Sequence, residues 1–369
     1  FLLKMKFKLL IKNKFVSTIL GTIALFFGIA FILPIGSMAV YITSNIHYHQ
    51  KFVNMHYGLF INLIFMLANT FSASLGGFFE NLIGFFKTII IGFAILLISN
   101  FFFILQKDIW LCYILTLLLG IGAGISSSLL VKNIQLYVPD KKGAVAGAFG
   151  FGIMIIVAIF AFSGEKMINF HGETLTGKKT IYSEEVAERT YLYFLIGEFT
   201  LPIGFLFALL LLYEYKPEEN GKDKNETKKI EESENKPDLE QQIIDKNEKE
   251  QKEKEETNDI KMNSGLNKKN LKKVIKTFRF WRIVIISLFI NIPISYMVNT
   301  GRTFGAIIGI DGNALQFSGI IQTLATLVIG PVLGILVDKI GPLIILRIIA
   351  ISTIIEDRKS GSAGMPRPI

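Results

Sequence analysis

Apolar runs of helix length, punctuated by short polar segments, dominate the chain from residue 15 to 213 and return from 280 onward. A bilayer core of roughly 30 Å needs about 20 apolar residues in a helix. Eight stretches approach that requirement: 15–42, 57–79, 88–105, 109–131, 144–164, 191–213, 280–300 and 314–337. A ninth, 343–355, has thirteen residues and carries Arg347; at roughly 20 Å of helix it is too short to cross. The pattern predicts an all-α, polytopic membrane protein in five parts. These are a basic N-terminal segment (1–14), a first six-helix transmembrane bundle (15–213), a charged linker (214–279), a partial second bundle of two spans plus a stub (280–355) and an atypical tail (356–369). The tail reads as a truncated or mis-spliced C-terminus, and Phe1 in place of Met predicts an incomplete N-terminus.

Composition agrees with immersion in lipid. Hydrophobic residues make up 51% of the chain and Phe alone 32 of 369, too little polar surface for a soluble domain of this length. The net charge is +9, but residues 214–282 hold 18 Lys/Arg and 17 Asp/Glu, leaving 21 basic and 13 acidic residues elsewhere. That excess lies at span borders, where five lysines precede residue 15 and Lys132, Lys141 and Lys142 follow span four. The opposite series of loops has Lys51, Lys107, Arg302 and a 165–190 segment whose four basic residues face five glutamates. Short-loop bias therefore predicts a cytoplasmic N-terminus and a cytoplasmic linker. No basic face remains for nucleic acid. The linker is too polar to bury a core and reads either as a solvated connector or as a partner-binding segment. Its end, 268–282, carries Phe278, Phe280 and Trp281 among lysines, which predicts contact with membrane lipid. One cysteine, Cys112, excludes an intramolecular disulfide framework and a Cys-based zinc cluster. The basic segment before residue 15 leads into a span too long for a cleavable signal.

A polar turn occurs twice. Gly334-Ile335-Leu336-Val337-Asp338-Lys339-Ile340-Gly341-Pro342 closes the eighth run, and Gly76-Gly77-Phe78-Phe79-Glu80-Asn81-Leu82-Ile83-Gly84 closes the second. In both, a glycine stands four residues before an acid and another glycine follows within four. The repetition predicts two related membrane halves with equivalent turns on the same side.

Chemistry-bearing residues are few. No HExxH, P-loop or GxSxG pattern occurs, so neither an enzyme nor a nucleotide-driven pump is expected, and no cofactor. His47, His49 and His56 fall in the first exposed loop without nearby Cys or clustered carboxylates, so no metal is expected. Glu198 lies inside span six. A carboxylate there costs roughly 3 kcal/mol to insert, whereas the Leu, Ile and Phe residues of that span return about 4–8 kcal/mol. The helix inserts despite it, and Glu198 becomes a candidate proton carrier or cation partner, or an interfacial carboxylate. Asn62 and Asn69 suggest a wet face on span two. Asn291, Tyr296 and Asn299, followed by Arg302, suggest a broken, cavity-lining span seven, with Gln322 a weaker sign in span eight. Arg302 offers a guanidinium to a carboxylate substrate, or anchors a headgroup. Gly120 with Gly124, and Gly143 with Gly147, allow close helix approach, either as static packing or as gliding surfaces.

These motifs resemble the major facilitator superfamily. The turn Gly334-x-x-x-Asp338-Lys339-x-Gly341-Pro342 is similar to that family's signature between the second and third helices of each half. The first copy departs from it, with Glu80-Asn81 for Asp-Arg and one residue inserted before Gly84. Gly120-Ile121-Gly122-Ala123-Gly124, and Pro139-Asp140-Lys141-Lys142-Gly143 at the start of span five, resemble the oxalate:formate-antiporter and monocarboxylate-transporter-like branch, as does Asn299-Thr300-Gly301-Arg302-Thr303-Phe304-Gly305. The resemblance implies a two-bundle secondary transporter for a small organic anion, a mono- or dicarboxylate, moved by alternating access with protons or a counter-anion as the second species. It also implies a conformational latch made of Gly334, Asp338, Lys339 and Gly341 with Gly76, Glu80 and Gly84. Span eight has no Arg or Lys, so oxalate is not singled out. A non-transporting receptor or scaffold that presents the linker is the competing class.

Overall fold

The computed structural model describes residues 14–173, 181–215, 277–278, 280–282, 284–286, 325, 328–342, 344–349 and 351–352. Among these residues every regular element is helical. The first part contains α1 (Lys14–Ala30), α2 (Ile35–His49), α3 (Met55–Ile83), α4 (Phe85–Leu105), α5 (Ile109–Tyr137), α6 (Lys142–Ile168), the short α7 (Glu184–Glu188) and α8 (Thr190–Leu211). A 3-10 turn, Pro139–Lys141, separates α5 from α6. Residues 328–340 are also helical. Six helical stretches among the described residues are long and apolar enough to cross a membrane.

The expected spans are all present in the first bundle, but several helices outlast them. The first is broken at 31–34, where Pro34 cannot donate to the helix ladder; Ser37 restarts it with Nα and Oγ both donating to the Pro34 carbonyl, at 2.8 and 2.7 Å. The chain then stays helical to His49. His47 and His49 therefore occupy the last turn of α2, and His56 the first turn of α3, rather than a loop. Lys132 likewise belongs to α5, and Gly76–Ile83, expected as part of a turn, completes α3. Helices extend beyond an apolar run because their backbone groups stay paired inside the segment; caps decide where they stop. Asn54 accepts from His56 N at 3.0 Å to open α3. Asp108 accepts from Trp110 N and Leu111 N, at 2.8 and 3.0 Å, to open α5.

Helix α5 is the axis of the bundle, packed on one side by α3 and on another by α4. Its glycines make this possible: a Cβ at Gly120 would lie 2.6 Å from the Phe65 carbonyl, and one at Gly124 only 2.2 Å from that of Asn69. Between helices in lipid, such close packing replaces the hydrophobic drive. Helix α8 packs on α1 and α4, joined by stacked Phe103 and Phe194 (4.6 Å between centroids) and by Phe31 against Tyr193 (4.8 Å). The exit of α8 is stitched down by polar groups. Ser17 Oγ donates to the Leu211 carbonyl at 2.8 Å, Asn133 Nδ2 to that of Tyr213 at 2.8 Å, and Tyr215 N to Asn133 Oδ1 at 2.9 Å.

Candidate functional site

Helix α6 begins without a cap of its own. Pro139 opens the preceding 3-10 turn, and the residue in the N-cap position, Lys141, makes no side-chain capping bond. The first amides of a helix have no partner inside it, and a carboxylate satisfies them best. Here the carboxylate comes from 195 residues away: Gly143 N donates to Asp338 Oδ1 and Ala144 N to Asp338 Oδ2, both at 2.6 Å.

Two pairs of glycines bring the helices to that distance. A Cβ on Gly143 would fall 2.4 Å from the Gly334 carbonyl, and a Cβ on Gly334 would fall 2.4 Å from that of Gly143. One turn along, a Cβ on Gly147 would lie 2.8 Å from the Gly330 carbonyl. Gly143 and Gly147 thus face Gly330 and Gly334 backbone to backbone, and this crossing joins the first bundle to helix 328–340. Gly341 ends that helix at φ +85°, donating to Val337 O at 3.0 Å. Lys339 is exposed beside Asp338.

The first copy of the turn ends in the same way and pairs differently. Gly84 has φ +91° and donates to Glu80 O at 2.8 Å. Both glycines adopt a conformation that costs other residues energy. The acid sits four residues before Gly84 but three before Gly341, so it leaves its helix at a different angle. Glu80 pairs with Lys132 Nζ on α5 at 2.5 Å, and Gly76 faces Ser128, also on α5. The first copy is engaged within one bundle, the second between two parts of the molecule.

Other candidates are dispersed. Asn62 is fully buried on α3, and Asn69 is half-buried one face-repeat later. Ser72 Oγ donates to the Asn69 carbonyl at 3.1 Å and to that of Gly120 at 3.3 Å, so this polar stretch packs on the α5 glycines. Glu198 accepts from Asn100 Nδ2 at 2.7 Å, across the α4–α8 interface. Asn291, Tyr296, Asn299, Arg302 and Gln322 lie outside the described residues.

Sequence reasoning missed Gly330, Ala144 and Lys132 as members of these contacts. Lys132 had a signal, a lone cation closing an apolar run near an acid-bearing turn. Ala144 had none, because it contributes only a backbone N–H. The crossing makes and breaks no covalent bond; what it can do is hold or release two hydrogen bonds and one close helix contact.

The family model described as Major Facilitator Superfamily matches residues 18–355. No curated protein matches the chain. The chain belongs to the major facilitator superfamily, whose members are transporters of small solutes rather than enzymes, and it is an integral, multi-pass membrane protein.

Proposed function

We propose that this member of the superfamily moves a small organic anion, a mono- or dicarboxylate, by alternating access, and that the Asp338 crossing is its latch. The observation that carries the latch is the capping of α6 by Asp338 from the other half of the chain. A cap supplied by a separate helix can be made in one arrangement of the halves and lost in another, so it biases the equilibrium between them. Short-loop charge bias supports a cytoplasmic position for the N-terminus, and with it for this end of the molecule.

The organic-anion reading is supported by the glycine run at 120–124, the Pro139–Gly143 run that opens α6 and the Arg302 segment. A proton or a counter-anion is the second species. Asn62, Asn69 and Glu198, with Asn291, Tyr296, Asn299, Arg302 and Gln322, remain the pathway candidates to be substituted singly. Nothing among the described residues favours the scaffold reading.

The protein reconstituted in vesicles should accumulate labelled formate, lactate, pyruvate or oxalate. Accumulation of none of the four, with neutral solutes transported instead, would remove the organic-anion reading. Asp338→Asn should slow uptake without lowering the inserted amount; unchanged uptake would remove the latch.

A further inference from the structure

We propose that Glu198 and Asn100 form a proton-binding site at the α4–α8 interface, separate from the crossing between the halves. Asn100 is fully buried. Its amide nitrogen uses both hydrogens, donating to the Phe194 carbonyl at 2.9 Å and to Glu198 Oε1 at 2.7 Å. Its carbonyl oxygen is buried and has no hydrogen-bond partner. An unpaired buried acceptor asks for an explanation, the more so inside a membrane, where no water answers it. Among the described residues nothing donates to Glu198 Oε2 either.

One proton on Oε2 resolves both. The acid and the amide then form a cyclic pair, Nδ2–H donating to Oε1 and Oε2–H donating to Asn100 Oδ1. The proton comes from water at the membrane boundary, no other bond changes, and the site passes from one negative charge to none. Pro202, four residues on, cannot donate to the Glu198 backbone carbonyl, which adds polarity at the same level of α8.

Among the described residues no charged group makes an ion pair or hydrogen bond with the pair; Lys107 and Asp108 lie past the end of α4, where Asp108 caps α5. On α4 the sole ionisable residue is Lys87, at the opposite end, as are Lys14 on α1 and Lys142 on α6. Glu165 and Lys166 lie in the last turn of α6, and His47 and His49 in the last turn of α2. Glu184, Glu185, Glu188 and Arg189 precede the start of α8. Glu198 lies roughly 12 Å along α8 from Thr190, beside Phe199, which is 64% exposed on the outer face. Glu80 pairs with Lys132, and Glu185 with Arg189, whereas Glu198 has no ion-pair partner among the described residues.

The test is independent of substrate and latch. In vesicles whose water-exposed carboxylates are first blocked with a water-soluble carbodiimide and glycine ethyl ester, dicyclohexylcarbodiimide should modify Glu198, read by mass spectrometry of its peptide. The yield should fall as pH rises. Glu198→Gln, a neutral isostere of the acid, should insert normally and show no modification. Asn100→Leu should move the pH midpoint of modification by about one unit, a tenfold change in proton affinity; if that variant fails to insert, Asn100→Ser is read the same way. A Glu198 left unmodified at every pH at which the protein stays folded, or a midpoint indifferent to residue 100, overturns the proposal.

Discussion

Helices α5 and α6 both start with an aspartate on their free amides, but the aspartates come from different places. Asp108 is the residue just before α5 and accepts from Trp110 N and Leu111 N. Asp338 reaches Gly143 N and Ala144 N from another helix altogether. The first cap cannot leave without unfolding the turn that carries it. The second leaves whenever helix 328–340 moves. On the proposed reading, one belongs to the fold's stability and the other to its conformational equilibrium, although the local chemistry is nearly identical.

The strongest challenge to that contrast is Gly334→Leu. Its side chain would occupy the space of the Gly143 carbonyl, 2.4 Å from the Cβ position, and force the helices apart. Both carboxylate bonds should be lost, each worth ~1.5–3 kcal/mol. Initial uptake should fall by more than about tenfold with the inserted amount unchanged. Next comes Asp338→Ala, expected to slow uptake about tenfold, against a few-fold for Asp338→Asn, since asparagine caps helices well but keeps only one acceptor oxygen. Equal effects of the two would mean that charge alone matters. Giving α6 its own cap with Lys141→Ser sharpens the comparison, because Asp338→Ala should then cost visibly less in that background. An additive double variant would show that the two positions are not coupled.

Asp108→Ala should instead lower thermal stability by ~1 kcal/mol and leave uptake per folded molecule intact. The Asp108 carboxyl is held below its ordinary value, first by the Leu111 amide, then by the Gln50 side chain and the Trp110 amide. A depressed folded value means that its contribution is fully present above the unfolded aspartate value of about 3.9 and is lost as pH falls through the folded one. Acid melting curves of wild type and Asp108→Ala should therefore converge at low pH. Smallest in free energy is Glu80→Gln. Its pair with Lys132 is partly exposed, worth 0.2–1 kcal/mol in double-mutant cycles of such pairs, so uptake should change by no more than about fivefold. A larger loss would give the first copy of the turn a role the Lys132 contact does not account for.

Much of the architecture was legible because lipid imposes a simple grammar on sequence: a span must be apolar for about 20 residues. The ends were not, because Thr43–His49 and Lys132–Tyr137 are helical outside that grammar. Asp338 was visible as an acid in a repeated turn, whereas its partners are backbone amides of Gly143 and Ala144, which no residue name announces. Gly143 and Gly147 were recognisable as close-packing positions, but nothing in their spacing distinguished them from Gly120 and Gly124. The difference is only in what lies opposite: Gly330 and Gly334 for the first pair, α3 of the same bundle for the second. Asn100 and Glu198 are 98 residues apart, and their meeting follows from the packing of α4 on α8.

The stitched exit of α8 also sets a clock. Ser17 and Asn133 are synthesised long before Leu211, Tyr213 and Tyr215, so the first bundle cannot fasten itself until translation has passed residue 215. About 60 residues then separate Tyr215 from Thr277, and at roughly 5–20 residues per second they occupy the ribosome for about 3–12 s. Their length, whatever else they do, gives the first half an interval to close before the helix bearing Asp338 arrives to seek its amides. A chain with 216–276 removed should insert with more mispaired helices, even if each half remains competent alone.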